Sequence, residues 1–94
     1  MRKNVLAALV ANEAPSATTL TEYDEEHLPT YRGLLDAQGD GAEWDEAALL
    51  VLRIDPIGEP TRAHRAWESH LTRANWLLDH GYCHLISGTA AHRT

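Results

Sequence analysis

Thr61-Arg62-Ala63-His64-Arg65-Ala66-Trp67-Glu68-Ser69-His70-Leu71-Thr72-Arg73-Ala74-Asn75-Trp76-Leu77-Leu78-Asp79-His80, followed by Gly81, is the stretch that decides the fold. Ala63, Trp67, Leu71, Ala74 and Leu78 recur at steps of three and four, with Ala66, His70 and Leu77 on the flanks. That spacing predicts one buried stripe along a long amphipathic helix. Pro60 or Thr61 opens the helix, and Gly81 is its natural stop because glycine enters the left-handed region without strain.

Working backwards, Asp55-Pro56-Ile57-Gly58-Glu59-Pro60 reads as a turn. A helix over about 44–54 precedes it, with Trp44, Ala47, Ala48, Val51 and Ile54 on one face and Leu49 pointing away, flanked by Leu50 and Leu52. Gly39-Asp40-Gly41 breaks the chain before that helix. Asp24 is expected to cap a helix over about 25–38, with Leu28, Tyr31, Leu34 and Leu35 as its apolar stripe and Pro29 early enough to be tolerated. Ser16 to Tyr23 reads as an extended connector, and Asn4 caps a short helix over about 5–12 that the Glu13-Ala14-Pro15 turn closes. Beyond Gly81, Tyr82, Leu85 and Ile86 tuck a last turn onto the core. The expected organisation is therefore 1–23 as short helix and connector, 24–86 as the helical domain and 87–94 as a frayed tail.

Composition agrees. The 94 residues hold 14 Ala and 13 Leu against three Val, three Ile and no Phe. Ala and Leu are strong helix formers, whereas the β-branched residues that suit strands are scarce. The expected fold is all-α: a tri-helical helix-turn-helix variant with a short extra N-terminal helix and a long third helix. Cys83 is the single cysteine, so no intramolecular disulfide exists and a reducing cytoplasm is the expected location. No apolar run approaches the roughly 18 residues of a membrane span.

The net charge of −6 is unevenly spread: residues 1–52 carry −7, and 53–94 carry +1. A helical wheel centred on Trp67 places Trp76 opposite the buried stripe, with Arg62, Arg65, Ser69 and Thr72 around it and Arg73 at the edge. These six residues are the candidate binding face, with Leu49 as a possible secondary patch. Arg and hydroxyl side chains on one helix suit a DNA major groove, where Arg reads guanine and hydroxyls hold phosphate. Arg ringing an exposed Trp suits a protein hot spot, and a third reading has the N-terminal segment covering Trp76 with the Arg side chains merely solvated. Overall acidity disfavours DNA, because phosphate neutralisation supplies most non-specific affinity.

Other chemistry is weakly represented. His80, Cys83 and His84 lie close together, but one thiolate without a second ligand pair does not make a tetrahedral zinc site. Asp24-Glu25-Glu26 and Glu43, Asp45 and Glu46 sit at expected helix starts, where the helix dipole favours acids. No glycine-rich phosphate loop or nucleophile–base pair occurs, so neither catalysis, a metal, a cofactor nor a small-molecule ligand is expected.

Five segments carry a resemblance: Tyr31-Arg32-Gly33-Leu34-Leu35-Asp36-Ala37, Gly41-Ala42-Glu43-Trp44-Asp45-Glu46-Ala47, Val51-Leu52-Arg53-Ile54-Asp55-Pro56, Arg65-Ala66-Trp67-Glu68-Ser69-His70-Leu71-Thr72-Arg73-Ala74 and His80-Gly81-Tyr82-Cys83-His84-Leu85-Ile86. In order and spacing, over roughly 20–86, the chain resembles the RovC-like DNA-binding domain family of proteobacterial regulators, a helix-turn-helix variant. Read as an acidic domain expected to stand alone, it is similar to the QseM-type antiactivators of rhizobial integrative and conjugative elements. The resemblance implies a protein that binds a transcriptional activator carrying a related domain. It would thereby block activation of the genes for element excision and conjugative transfer. The alternative is a small sequence-specific DNA-binding regulator using the same Arg residues, from which the acidic first two helices depart.

Overall fold

The Thr21 side chain, rather than that of Asp24, begins the helical part of the chain. Its hydroxyl accepts from the Asp24 backbone N–H while the Asp24 carboxylate accepts from the Thr21 N–H, a reciprocal capping box that opens α1 (Glu22–Glu26). The computed structural model describes residues 10–87. After α1 come α2 (Leu28–Gly39), α3 (Trp44–Ala47), a π-helical turn (Ala48–Leu52), α4 (Pro60–Asp79) and α5 (Cys83–Ser87). The described residues are all-α, with no strand, and among them no helix is long and apolar enough to cross a membrane.

The single helix expected over 25–38 is therefore two helices meeting at His27. Pro29 has no N–H to donate back into α1, but in the first turn of a new helix that donor would be unpaired anyway. The end of the expected N-terminal helix is also absent: Val10 and Ala11 have no regular structure, and Asn12-Glu13 is a bend. Its other positions lie outside the described residues, as does the expected tail from residue 88 on, whereas Ser87, expected to open that tail, ends α5. The expected boundary at residue 24 falls inside α1, and Val10 is buried in the core. Residues 10–20 thus pack with the helices as a strap.

Both glycine breaks form the same device. Gly41 (φ 77°) follows α2 and Gly81 (φ 91°) follows α4. In each case the next residue's N–H reaches back to the last turn, Ala42 to the Ala37 carbonyl at 3.0 Å and Tyr82 to the Leu77 carbonyl at 2.9 Å. These Schellman motifs satisfy carbonyls that the helix end leaves unpaired, and the left-handed position favours glycine.

Two findings change which side chains reach the core. First, the π-helical turn inserts an extra residue in the second helix, so Leu52, expected on the flank, is buried beside Ala47, Ala48 and Ile54. Leu49 and Leu50 remain outside. Second, α4 is turned by roughly 70° from the Trp67-centred wheel. Its buried residues are Ala63, Ala66, His70, Arg73, Ala74 and Leu77, while Trp67 and Leu71 are half-buried and Leu78 is exposed. Three alanines on that line let neighbouring helices approach closely, and polar partners draw in His70 and Arg73. Trp67 instead joins Trp44 and His64 in an aromatic cluster at the rim, with ring centroids 4.9–6.5 Å apart.

Candidate partner-binding face

The outer side of α4 is shaped by a polar network beneath it and by the strap across it. Asp24 and Arg73 are both buried and form a two-point ion pair, Nε to Oδ1 at 3.0 Å and Nη2 to Oδ2 at 2.6 Å. The same carboxylate accepts the Tyr31 hydroxyl at 2.7 Å and the Thr21 hydroxyl at 2.9 Å. Burial pushes the Asp24 carboxyl up, but bonds from Arg73, then Tyr31 and Thr21, outweigh it and hold it at about 2. The bond to Asp24 raises the Arg73 guanidinium further, and burial followed by Asp24 raises the Tyr31 phenol.

A second chain of bonds runs through His70. Its Nδ1–H donates to the Ala66 carbonyl at 2.7 Å, which leaves Nε2 free of a proton to accept the Tyr23 hydroxyl. Tyr23 in turn accepts the Ala11 N–H at 2.9 Å and stacks on His27 with centroids 4.0 Å apart. Burial lowers the His70 imidazole, so the neutral form suits this arrangement.

These networks fasten the strap. Arg73 donates to the Ala17 carbonyl at 2.6 Å and the Thr19 carbonyl at 2.9 Å. The Ser69 hydroxyl accepts the Ala14 N–H at 3.0 Å, and Asn12 Oδ1 accepts Arg62 Nε at 2.9 Å. From Val10 to Leu20 the chain crosses one side of α4. It leaves a cavity of about 270 Å³ between Ala14, Pro15 and Ser16 and the helix residues Ser69, Thr72, Arg73 and Trp76.

The six expected face residues therefore divide. Arg65 and Thr72 are exposed. Arg62 and Ser69 are half-buried and already hold the strap, with Arg62 also paired to Glu59 at 3.0 Å. Trp76 is half-buried, with His80 stacked at 4.1 Å and the Arg73 guanidinium 4.3 Å from its ring centroid. Arg73 does not face a partner at all; as a correction to the wheel, it points inward because Asp24 neutralises it there. Leu49 is half-exposed beside the more exposed Leu50. Arg65 lines an open groove of about 660 Å³ with Trp44, His64, Glu68 and Glu13 of the strap.

Sequence reasoning missed Tyr23, His70 and the Asp24–Arg73 pair. Thr21-Glu22-Tyr23-Asp24 does carry the spacing of a capping box, which would have moved the helix start. Contacts such as Asp24 to Arg73 span 49 residues and leave no local signal. Among the described residues, no group of three or more His, Cys, Asp or Glu could hold a metal. No family model matches the chain, and no curated protein matches it.

Proposed function

We propose that this protein is a small transcription-regulatory interaction domain, an antiactivator that binds an activator carrying a related domain rather than binding DNA. One observation carries this reading: the long helix that a helix-turn-helix protein would place in a major groove is crossed by the strap, and Arg73 is withdrawn from its surface. The rest of the surface supports it. Every described Asp and Glu except Asp24 is exposed, whereas among the described Arg residues only Arg32, Arg53 and Arg65 are. Phosphates would meet mainly like charge. The all-α arrangement is compatible with the RovC-like resemblance, from which the antiactivator role and the excision and transfer genes as its target are taken. The partner surface in this reading is the uncovered part of α4, Arg65 and Thr72, extended by the exposed edge of Trp76.

The test is co-purification of the tagged full chain from its native host, paired with gel-shift titrations over several salt concentrations. A co-eluting activator and no DNA shift is the expected outcome. Tight binding to a promoter fragment with a steep salt slope would instead establish the DNA-binding regulator, for which the exposed Arg65 and Thr72 are the available contacts.

A further inference from the structure

The molecule carries a second surface, separate from α4 and independent of the antiactivator reading. A groove of about 360 Å³ lies between the end of α2 and the π-helical turn. Its floor is small and apolar, with Ala37, Ala42 and Ala47. Leu50 stands at its edge, 64% exposed, with Leu49 next to it at 50%. The α2 Schellman turn fixes one wall through the bonds of Gly41 to Gln38 and Ala42 to Ala37. The groove is thus already formed, so a guest has little to order on binding.

The π-helical turn forms one side of this opening, through Leu50 and Val51. An undistorted helix would carry Leu52 on the flank beside Leu49 and Leu50; the extra residue turns Leu52 inward, while Leu49 and Leu50 stay outside with no core role. The charged residues that line it have one sign. Asp40 and Glu46 line the groove, both exposed, and no Lys or Arg lines it. Glu43 and Asp45, also exposed, lie on the same loop and helix start. An apolar guest bearing negative charge would be repelled, and a neutral one would gain nothing from the rim. A guest with one apolar face flanked by cations satisfies both parts of the site.

We propose that this groove is a docking site for a basic amphipathic segment of a partner protein. The guest seats an aliphatic or aromatic side chain on Ala37, Ala42 and Leu50 and sets Lys or Arg side chains against Asp40 and Glu46. Burial of the apolar side chain holds the segment; the rim acids choose its charge and speed its approach.

The test is a nuclear magnetic resonance titration of the isotope-labelled full chain with a synthetic Lys/Leu amphipathic helix, and with a Glu/Leu peptide of the same pattern. The Lys/Leu peptide is expected to shift the amides of Gly41, Ala42, Glu46 and Leu50, leaving those of Arg65 and Thr72 in place, and to weaken as salt is raised. Leu50→Ser and Glu46→Lys are each expected to weaken it about tenfold, with the fold checked by circular dichroism. Equal binding of the Glu/Leu peptide, shifts centred on α4, no shifts, or full binding by folded Leu50→Ser would overturn the proposal. So would groove shifts that depend on protein concentration without peptide, which indicate a second copy, or contacts in the free chain from Leu6 or Leu9 to Leu50, which indicate self-occupancy. Failure here leaves the co-purification result untouched, so the two readings fall separately.

Discussion

Replacing Asp24 with Asn removes one negative charge from the most connected buried group while nearly preserving its shape. The carboxylate accepts from Arg73 at both oxygens, from the Tyr31 hydroxyl, and from the Thr21 hydroxyl and backbone N–H. An amide can supply only one acceptor oxygen, and its NH2 group must then face Arg73 or Thr21, donor against donor. Breaking one member of a buried ion pair costs about 3–5 kcal/mol, because the other charge is left in a place that cannot hydrate it. Arg73 keeps its bonds to the Ala17 and Thr19 carbonyls, which places the expected loss near the lower end, about 3 kcal/mol. A chain of this size has a total stability on the order of 5–14 kcal/mol, so the loss is a large fraction of it. At about 4–8 °C per kcal/mol, Asp24→Asn should lower the melting temperature by about 12 °C or more. Circular dichroism melts and urea titrations read this directly. In a double-mutant cycle, adding Arg73→Met to Asp24→Asn should restore part of the loss, because the orphaned charge is gone. An Asp24→Asn protein melting within about 3 °C of the parent would refute the assignment of Asp24 as the anchor of α1, α4 and the strap.

Three further outcomes follow from the same geometry. Stability should fall with pH in two windows. The first begins near 6.5, where the unfolded chain protonates His70 before the folded one does; the second runs from 3.8 to about 2, worth about 2 kcal/mol, as Asp24 takes its proton. Urea midpoints unchanged between pH 7 and pH 5 would contradict the first window. Tyr23→Phe removes the acceptor for the Ala11 N–H and the donor to His70, so it should cost about 1–3 kcal/mol and speed hydrogen exchange at Ala11 well beyond that at Leu77. Arg65→Glu reverses an exposed charge with no bond to another described residue, so it should leave the melting temperature within a few degrees, roughly the effect of other surface changes. The same change should weaken capture of the activator; unchanged capture would remove Arg65 from the partner face.

Much of the fold is legible in local pattern. Gly41 and Gly81 mark two helix ends because a left-handed residue after a helix favours glycine, and both ends form as read. Pro60 and Asp79 bound the long helix within a residue of the expected 61–80. The candidate face is less legible. A wheel assigns the buried side by hydrophobicity, and so centred α4 on Trp67. It has no means of knowing that an aspartate 49 residues earlier would neutralise Arg73 and make it a core residue. Trp67, one of the two tryptophans on the helix, sits at the rim, while three alanines allow a closer approach along another line.

The sequence alone determined the helical class, the two glycine stops, the long α4 and the asymmetry of charge, because each follows from interactions within a few residues. Only the tertiary structure decided what lies on the surface. The rotation of α4, the inward turn of Leu52 and the strap over Ser69 all depend on partners distant in sequence. Burying a charge or a hydrogen-bonding group is acceptable only when its partner arrives, and that arrival is a property of the assembled chain.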